Sequence, residues 1–268
     1  MSSPGHAGAL SEWLRKRGGV VLIFALLFLT WEFAVRLTGI KEYLLPPPSK
    51  VWVEFVKRFD PVMASAWVTT KEILAGYALA IVVSIPLAMT IAYSRFMEQA
   101  VYPVIVFLQI IPKIAIAPLF IIWFGFGFMP KLLLVFLLSF FPIVVSSIAG
   151  FKSADRDVMD FARTTGASGW RLFFKIRLPQ ALPQIFTGLK VGAALAATAA
   201  VVAEFVASDK GLGYLLLQYN GNLDTPMVFA TIVLLSLIGV MVYYVVEIIE
   251  RLAIPWHVSQ QAANESTM

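Results

Sequence analysis

The chain contains no Cys and only two His, His6 and His257, among its 268 residues. A disulfide framework, a thiolate metal site and a histidine cluster for zinc or a buried general base are thereby excluded. Charge is scarce too: 14% of residues are Asp, Glu, Lys or Arg, against about 25% in ordinary soluble domains. No Gly-Lys pair occurs anywhere, so the chain lacks the GxxxxGK[ST] loop whose backbone N–H groups would wrap the phosphates of ATP. What is abundant is apolar side chain, at 59% of residues, with a mean hydropathy of +0.82. That is more than a globular core of this size hides, and the bilayer is the solvent that takes the surplus. The net charge of +5 comes from Lys and Arg scattered beside apolar runs. This pattern reads as a topology signal rather than a nucleic-acid footprint.

A membrane span needs about 20 mostly apolar residues. Six runs approach that length: Gly18–Val35, Ile73–Tyr93, Ala100–Phe124, Leu132–Ala149, Gln184–Phe205 and Val228–Ile249. They predict an all-α, polytopic transmembrane helix bundle of six spans. Pro86, Pro112, Pro118 and Pro142 fall inside the runs and predict kinks, which neighbouring helices tolerate by satisfying the freed carbonyls. Lys and Arg are in modest excess on the side of the amino terminus, so both termini are expected in the cytoplasm. The segment Lys41–Ala66 is then external; in it Pro46, Pro47 and Pro48 precede an amphipathic stretch, Ser49–Phe59, with Ser49 as its expected N-cap. The expected organisation is residues 1–66 as tail, first span and external segment, 67–255 as the core, and 256–268 as a cytoplasmic tail.

One cytoplasmic loop, Lys152–Gln180, is too long and too amphipathic for a passive connector. Asp155–Thr165 is expected to form a surface helix with Val158, Met159, Phe161 and Ala162 near one face. Gly166 breaks it, Ser168 caps a short second helix bearing Trp170, Leu172, Phe173 and Ile176, and Pro179 closes the segment before the fifth span. Apolar residues exposed on such a helical hairpin fit a groove on another protein, or else a lipid surface.

At this loop the chain resembles the integral-membrane permease subunits of binding-protein-dependent ABC importers. Their cytoplasmic signature is Glu-Ala-Ala, three residues, Gly, nine residues, Ile, one residue, Leu-Pro. Asp160, Phe161 and Ala162 stand for Glu-Ala-Ala, Gly166 for the Gly, and Ile176, Leu178 and Pro179 for the distal part. Asp160 keeps the carboxylate, whereas Phe161 adds bulk where the pattern has Ala. The resemblance spans nearly the whole chain: Leu-Leu-Pro-Pro-Pro-Ser from Leu44, Pro118–Gly127, Phe141-Pro142, Gly188-Leu189-Lys190, Glu204, Gly211-Leu212-Gly213 and Pro255-Trp256 look like the nitrate, sulfonate and taurine branch. Residues 204–217 also look like permeases for pyrimidine precursors of thiamine and for riboflavin. The resemblance implies a type I ABC importer permease fold and a transport subunit rather than an enzyme. It implies a permease dimer, here a second copy of the chain, clasped by two ATPase subunits that use ATP and Mg, and served by an extracytoplasmic solute-binding protein. The membrane is then the bacterial plasma (inner) membrane. No cofactor is expected on this chain.

Within the bundle, Lys113 lies near the middle of the third run, where an ionisable group is a functional candidate by default. It attracts an anionic substrate, or it snorkels or pairs with a carboxylate such as Glu204. Glu204 and Trp123 are the other candidates for the substrate path. Gly188, Gly192, Ala196 and Ala200 form a smooth stripe for close approach of a helix, from the same subunit or from a second copy. A stand-alone secondary carrier would show paired interrupted segments in two related halves, which are not evident. An intramembrane serine hydrolase would need a His within the membrane, and both lie in the tails.

Overall fold

The computed structural model describes residues 6–154, 156–164 and 169–256, and no strand occurs among them. The helices are α1 (His6–Thr38), α2 (Pro48–Lys57), α3 (Phe59–Tyr93), α4 (Arg95–Ile110), α5 (Ala117–Phe124), α6 (Phe128–Lys152), α7 (Arg156–Thr164), α8 (Trp170–Leu172), α9 (Leu178–Ala207), α10 (Leu212–Gly221) and α11 (Thr225–Ala253). Four helices, Phe59–Tyr93, Phe128–Lys152, Phe173–Val206 and Thr225–Ala253, are long and apolar enough to cross a bilayer, and a fifth span results if α4 and the α5 region count as one. The remaining expected run, Gly18–Val35, lies within α1.

The third span departs from expectation. It is not a kinked continuous helix but two pieces bent by 85° at Pro112. Ile111, directly before the proline, is extended at φ −61°, ψ 133°, because the Pro ring disfavours helical geometry in the preceding residue. A 3-10 turn, Lys113–Ile116, follows, and α5 restarts with Pro118 in its first turn, where the missing N–H costs nothing. Pro86 and Pro142, by contrast, sit inside continuous helices.

The chain forms two compact units, Met1–Pro61 with Gln218–Ala230, and Val62–Leu217 with Thr231–Met268. In the first, the cap of α2 differs from the one expected. Pro47 occupies the N-cap position and has no side-chain acceptor. Glu32 of α1 supplies it instead: its carboxylate accepts from the Ser49 backbone N–H at 3.0 Å and from Ser49 Oγ at 2.8 Å. Ser49 is thus the donor and Glu32 the cap, which a reading confined to neighbouring residues does not find. Trp52, Val53 and Val56 of α2 are exposed. On its polar side the Lys57 ammonium, 2.6 Å away, holds the Glu54 carboxyl below the usual carboxylate range. Thr225 Oγ1 donates to the Tyr43 carbonyl at 2.7 Å, and Arg58 pairs with Asp224.

The second unit is organised around α6 packed on α9. Gly188 and Gly192 of the predicted stripe face α6: a Cβ on Gly188 would lie 2.6 Å from the Ser146 side chain, and one on Gly192 would lie 2.9 Å from Ile143. Ser139 Oγ donates to the Gly192 carbonyl at 3.2 Å. These two positions of the stripe serve packing within the subunit. Gly76 brings α3 equally close to α6, with Val135 Cβ at 2.6 Å from the position of an added methyl. Such approaches suit a membrane, where helices gain nothing from the hydrophobic effect and rely on contact.

Candidate functional site

The loop between α6 and α9 is a helical hairpin. Met159 and Ala162 of α7 and Leu172 of α8 form its buried core, with Ala154 and Ile176 packed against it. Val158 and Phe161, expected near the same face as Met159 and Ala162, are exposed instead, Phe161 at 71%. At 100° per residue the four positions lie along one arc in the order 161, 158, 162, 159, and only its 162–159 side is buried in the hairpin. Asp160 is exposed, beside Phe161. Gly166 and the expected cap Ser168 lie outside the described residues. Gly169 is described; it holds φ +53° and opens the second arm.

Pro179 does not end the second arm. The chain runs from Trp170 through a π-helical turn, Phe173–Arg177, directly into α9, whose first turn contains Leu178 and Pro179. The wider turn takes up a residue that has no N–H to give, so the hairpin arm and the span behind it form one continuous rod. Ile176 packs on the hairpin core from within this turn.

Aromatic rings join the rod to two other helices. Phe173 lies 6.0 Å from Tyr93 at the end of α3 and 6.3 Å from Phe151 at the end of α6, measured between centroids. The Arg177 guanidinium sits 4.7 Å over the Tyr93 ring, a cation–π contact. Lys152 pairs with Glu98 of α4 beside it. Met89, Tyr93, Gly169, Leu172, Phe173 and Arg177 line a cavity of about 430 Å³ at this junction. The hairpin arm thus contacts the ends of both α3 and α6 and continues into α9. Tyr93, Phe151 and Arg177 were missed as site residues, since Tyr93 reads as the end of an apolar run, Phe151 as a residue just past one, and Arg177 as one charge among several in the loop.

The candidates for the substrate path are not brought together. Lys113 donates from Nζ to the Gln109 carbonyl at 2.7 Å and lies 4.6 Å from the centroid of the Phe141 ring. It closes a carbonyl left free where α4 stops, and among the described residues no carboxylate pairs with it. Trp123 is 63% exposed and packs on Phe120. Glu204 is 1% exposed. Its Oε1 accepts from Thr69 Oγ1 at 2.6 Å, and its Oε2 accepts from the Gly213 N–H at the start of α10. The Leu212 N–H donates to Thr69 Oγ1 at 2.8 Å. Beside it, Lys131 pairs with Glu72 while both are nearly fully buried, 4% and 1% exposed. Sequence reasoning missed this pair because Glu72 and Lys131 each precede an apolar run by one residue, where an interfacial position is the natural reading. The helices begin before both charges, α3 at Phe59 well ahead of Glu72 and α6 at Phe128 one turn ahead of Lys131, and both side chains are buried.

Comparison with known proteins agrees with this architecture. Residues 80–254 match the family model described as the inner membrane component of binding-protein-dependent transport systems. The chain is 35% identical to the formylaminopyrimidine transport permease ThiX of Halalkalibacterium halodurans, over 89% of this chain and 96% of the relative. It is 36% identical to the riboflavin permease RibX of Chloroflexus aurantiacus, over 90% and 91%. With the taurine permease TauC of Escherichia coli it shares 31% identity over 87% of each. A solved structure of the MetNI methionine ABC transporter in inward-facing conformations superposes with a TM-score of 0.61, covering 73% of this chain and 97% of that one at 16% identity, which supports the fold alone. With this span of the family model, the extent of these identities and a helical bundle of matching fold, the chain belongs to the family of ABC importer permeases, the inner membrane components of binding-protein-dependent transport.

Proposed function

We propose that two copies of this chain form the transmembrane pathway of an importer. A separate pair of ATPases drives it through the hairpin of residues 152–180, and an extracytoplasmic binding protein delivers the solute. Residues 67–255 act as the transporting core, and the termini lie in the cytoplasm. The observation that carries this reading is the hairpin itself. Exposed Val158, Phe161 and Phe174 form an apolar surface suited to a groove on a partner, while the buried side of the same hairpin continues as one rod into α9. Closure of the ATPases on ATP would then tilt α9, with α3 and α6 following through the Tyr93, Phe151 and Phe173 rings. ATP and Mg belong to the partner. Reconstituted with its neighbouring ATPase, the chain is expected to take up solute only with ATP present; uptake without the ATPase would overturn the reading.

For the solute, the supporting likenesses are to permeases named for formylaminopyrimidine and riboflavin at 35–36% identity, and to one named for taurine at 31%. The first reading is a small nitrogen heterocycle of the pyrimidine or flavin kind, because Lys113 is already engaged by a backbone carbonyl and an aromatic face. A small anion of the alkanesulfonate, taurine or nitrate type is the second, favoured by Lys113 carrying no paired carboxylate. Lys113→Gln separates them. For a heterocycle the half-saturation concentration of uptake should stay within about twofold, whereas for an anion attracted by the ammonium it should rise about tenfold, the equivalent of about 1.4 kcal/mol.

A further inference from the structure

At the end of the core that the proposed topology places outside, a buried polar cluster ties four helices together. Lys131 of α6 pairs with Glu72 of α3 and donates to Ser208 Oγ at 3.0 Å, in the link between α9 and α10. Glu204 of α9 and Thr69 of α3 receive the first two N–H groups of α10, those of Leu212 and Gly213. The link is shaped to the carboxylate. Gly211 holds φ +106°, and a Cβ there would lie 2.1 Å from Glu204 Oε1, while one on Gly213 would lie 2.8 Å from Oε2. The tight Gly-Leu-Gly turn thus accommodates a carboxylate of its own chain, not a nucleotide.

Such a cluster is an unusual way to hold helices together. Taking two carboxyl groups and an ammonium out of water is unfavourable, and apolar side chains of similar volume do as well or better as packing. Glu72 is fully buried, with its carboxyl group set between the Lys131 ammonium and the carboxyl group of Glu204. That cost would be relieved in a second arrangement where water reaches the cluster, and the importer reading supplies two arrangements of the bundle. α10 is short and begins at this cluster, where the N–H groups of Leu212 and Gly213 meet Thr69 and Glu204 and the Leu212 side chain is fully buried; water can replace the N–H contacts.

We propose that Glu72, Lys131, Glu204 and Thr69 form a latch that seats α10 over the ends of α3, α6 and α9 in one state of the transport cycle and releases it to water in the other. This rests on the importer reading above. Its residues are positioning groups rather than solute ligands: they set which end of the pathway is closed.

The absence of Cys from the chain makes the test direct. Leu212→Cys places a single thiol at a fully buried position of the latch, and Ser208→Cys is a near-isosteric second site should the first fold poorly. In proteoliposomes holding the permease with its ATPase, the rate of modification by a charged, membrane-impermeant methanethiosulfonate is measured without nucleotide and after trapping with ATP and vanadate. At least a tenfold difference between the two states is expected; equal rates, including no reaction in either, overturn the latch. Independently, the double variant Glu72→Leu/Lys131→Met should assemble normally yet lose at least tenfold in uptake, because the closed arrangement no longer gains from hydration on opening. Unchanged uptake in that variant also overturns the latch. Phe161→Cys on the hairpin reports separately on the importer reading: it should react in the free permease and be protected once the ATPase binds, and protection that fails to appear sinks that reading without altering the latch result.

Discussion

Lys131→Met is expected to destabilise the core by about 3–5 kcal/mol, the range found when one partner of a buried ion pair is removed. The variant leaves the Glu72 carboxyl group buried beside that of Glu204 without its ion-pair partner. It also removes the donor to Ser208 Oγ. The cost is dominated by desolvation of the orphaned charge rather than by the attraction lost. The double variant Glu72→Leu/Lys131→Met should therefore recover most of the loss, since neither side chain then needs water. Thermal unfolding of the detergent-solubilised protein measures both. A double variant no more stable than Lys131→Met would show that the pair is not coupled as the structure places it.

Leu172→Asp should abolish coupled transport. Leu172 is buried against Met159 and Ala162 in the core of the hairpin, so a carboxylate there is set among apolar side chains and the two arms separate. The spans do not depend on this cluster. The variant should insert and keep the melting behaviour of the bundle, while ATPase co-purification falls and ATP-driven uptake drops by at least tenfold. Leu172→Met, which conserves volume, should retain both. Full uptake in Leu172→Asp would mean that the hairpin carries no force.

Both variants act where sequence and structure contribute differently. The hairpin was legible because its helical period, its glycine and its unusual length all fall within about thirty consecutive residues, which local pattern resolves. Even so, the division of its apolar residues into an inner pair, Met159 and Ala162, and an outer pair, Val158 and Phe161, required the second arm to be in place. Pro179 was read as a stop because proline in isolation favours one; the π-helical turn before it removes the conflict.

Composition and periodicity alone determined that this chain is helical, that it needs a bilayer, and that it brings no phosphate-binding loop of its own. Those properties follow from the side-chain inventory and from spacing along one strand of chain. Only the tertiary structure decided which polar groups meet: Thr69 with Glu204 across 135 residues, Lys131 with Ser208 across 77, and Glu32 with Ser49 in place of a local cap. Hydropathy records how much each residue prefers water, whereas the pairing of buried charges depends on which helix ends converge, and that is settled by glycine-scale contacts between α3, α6 and α9.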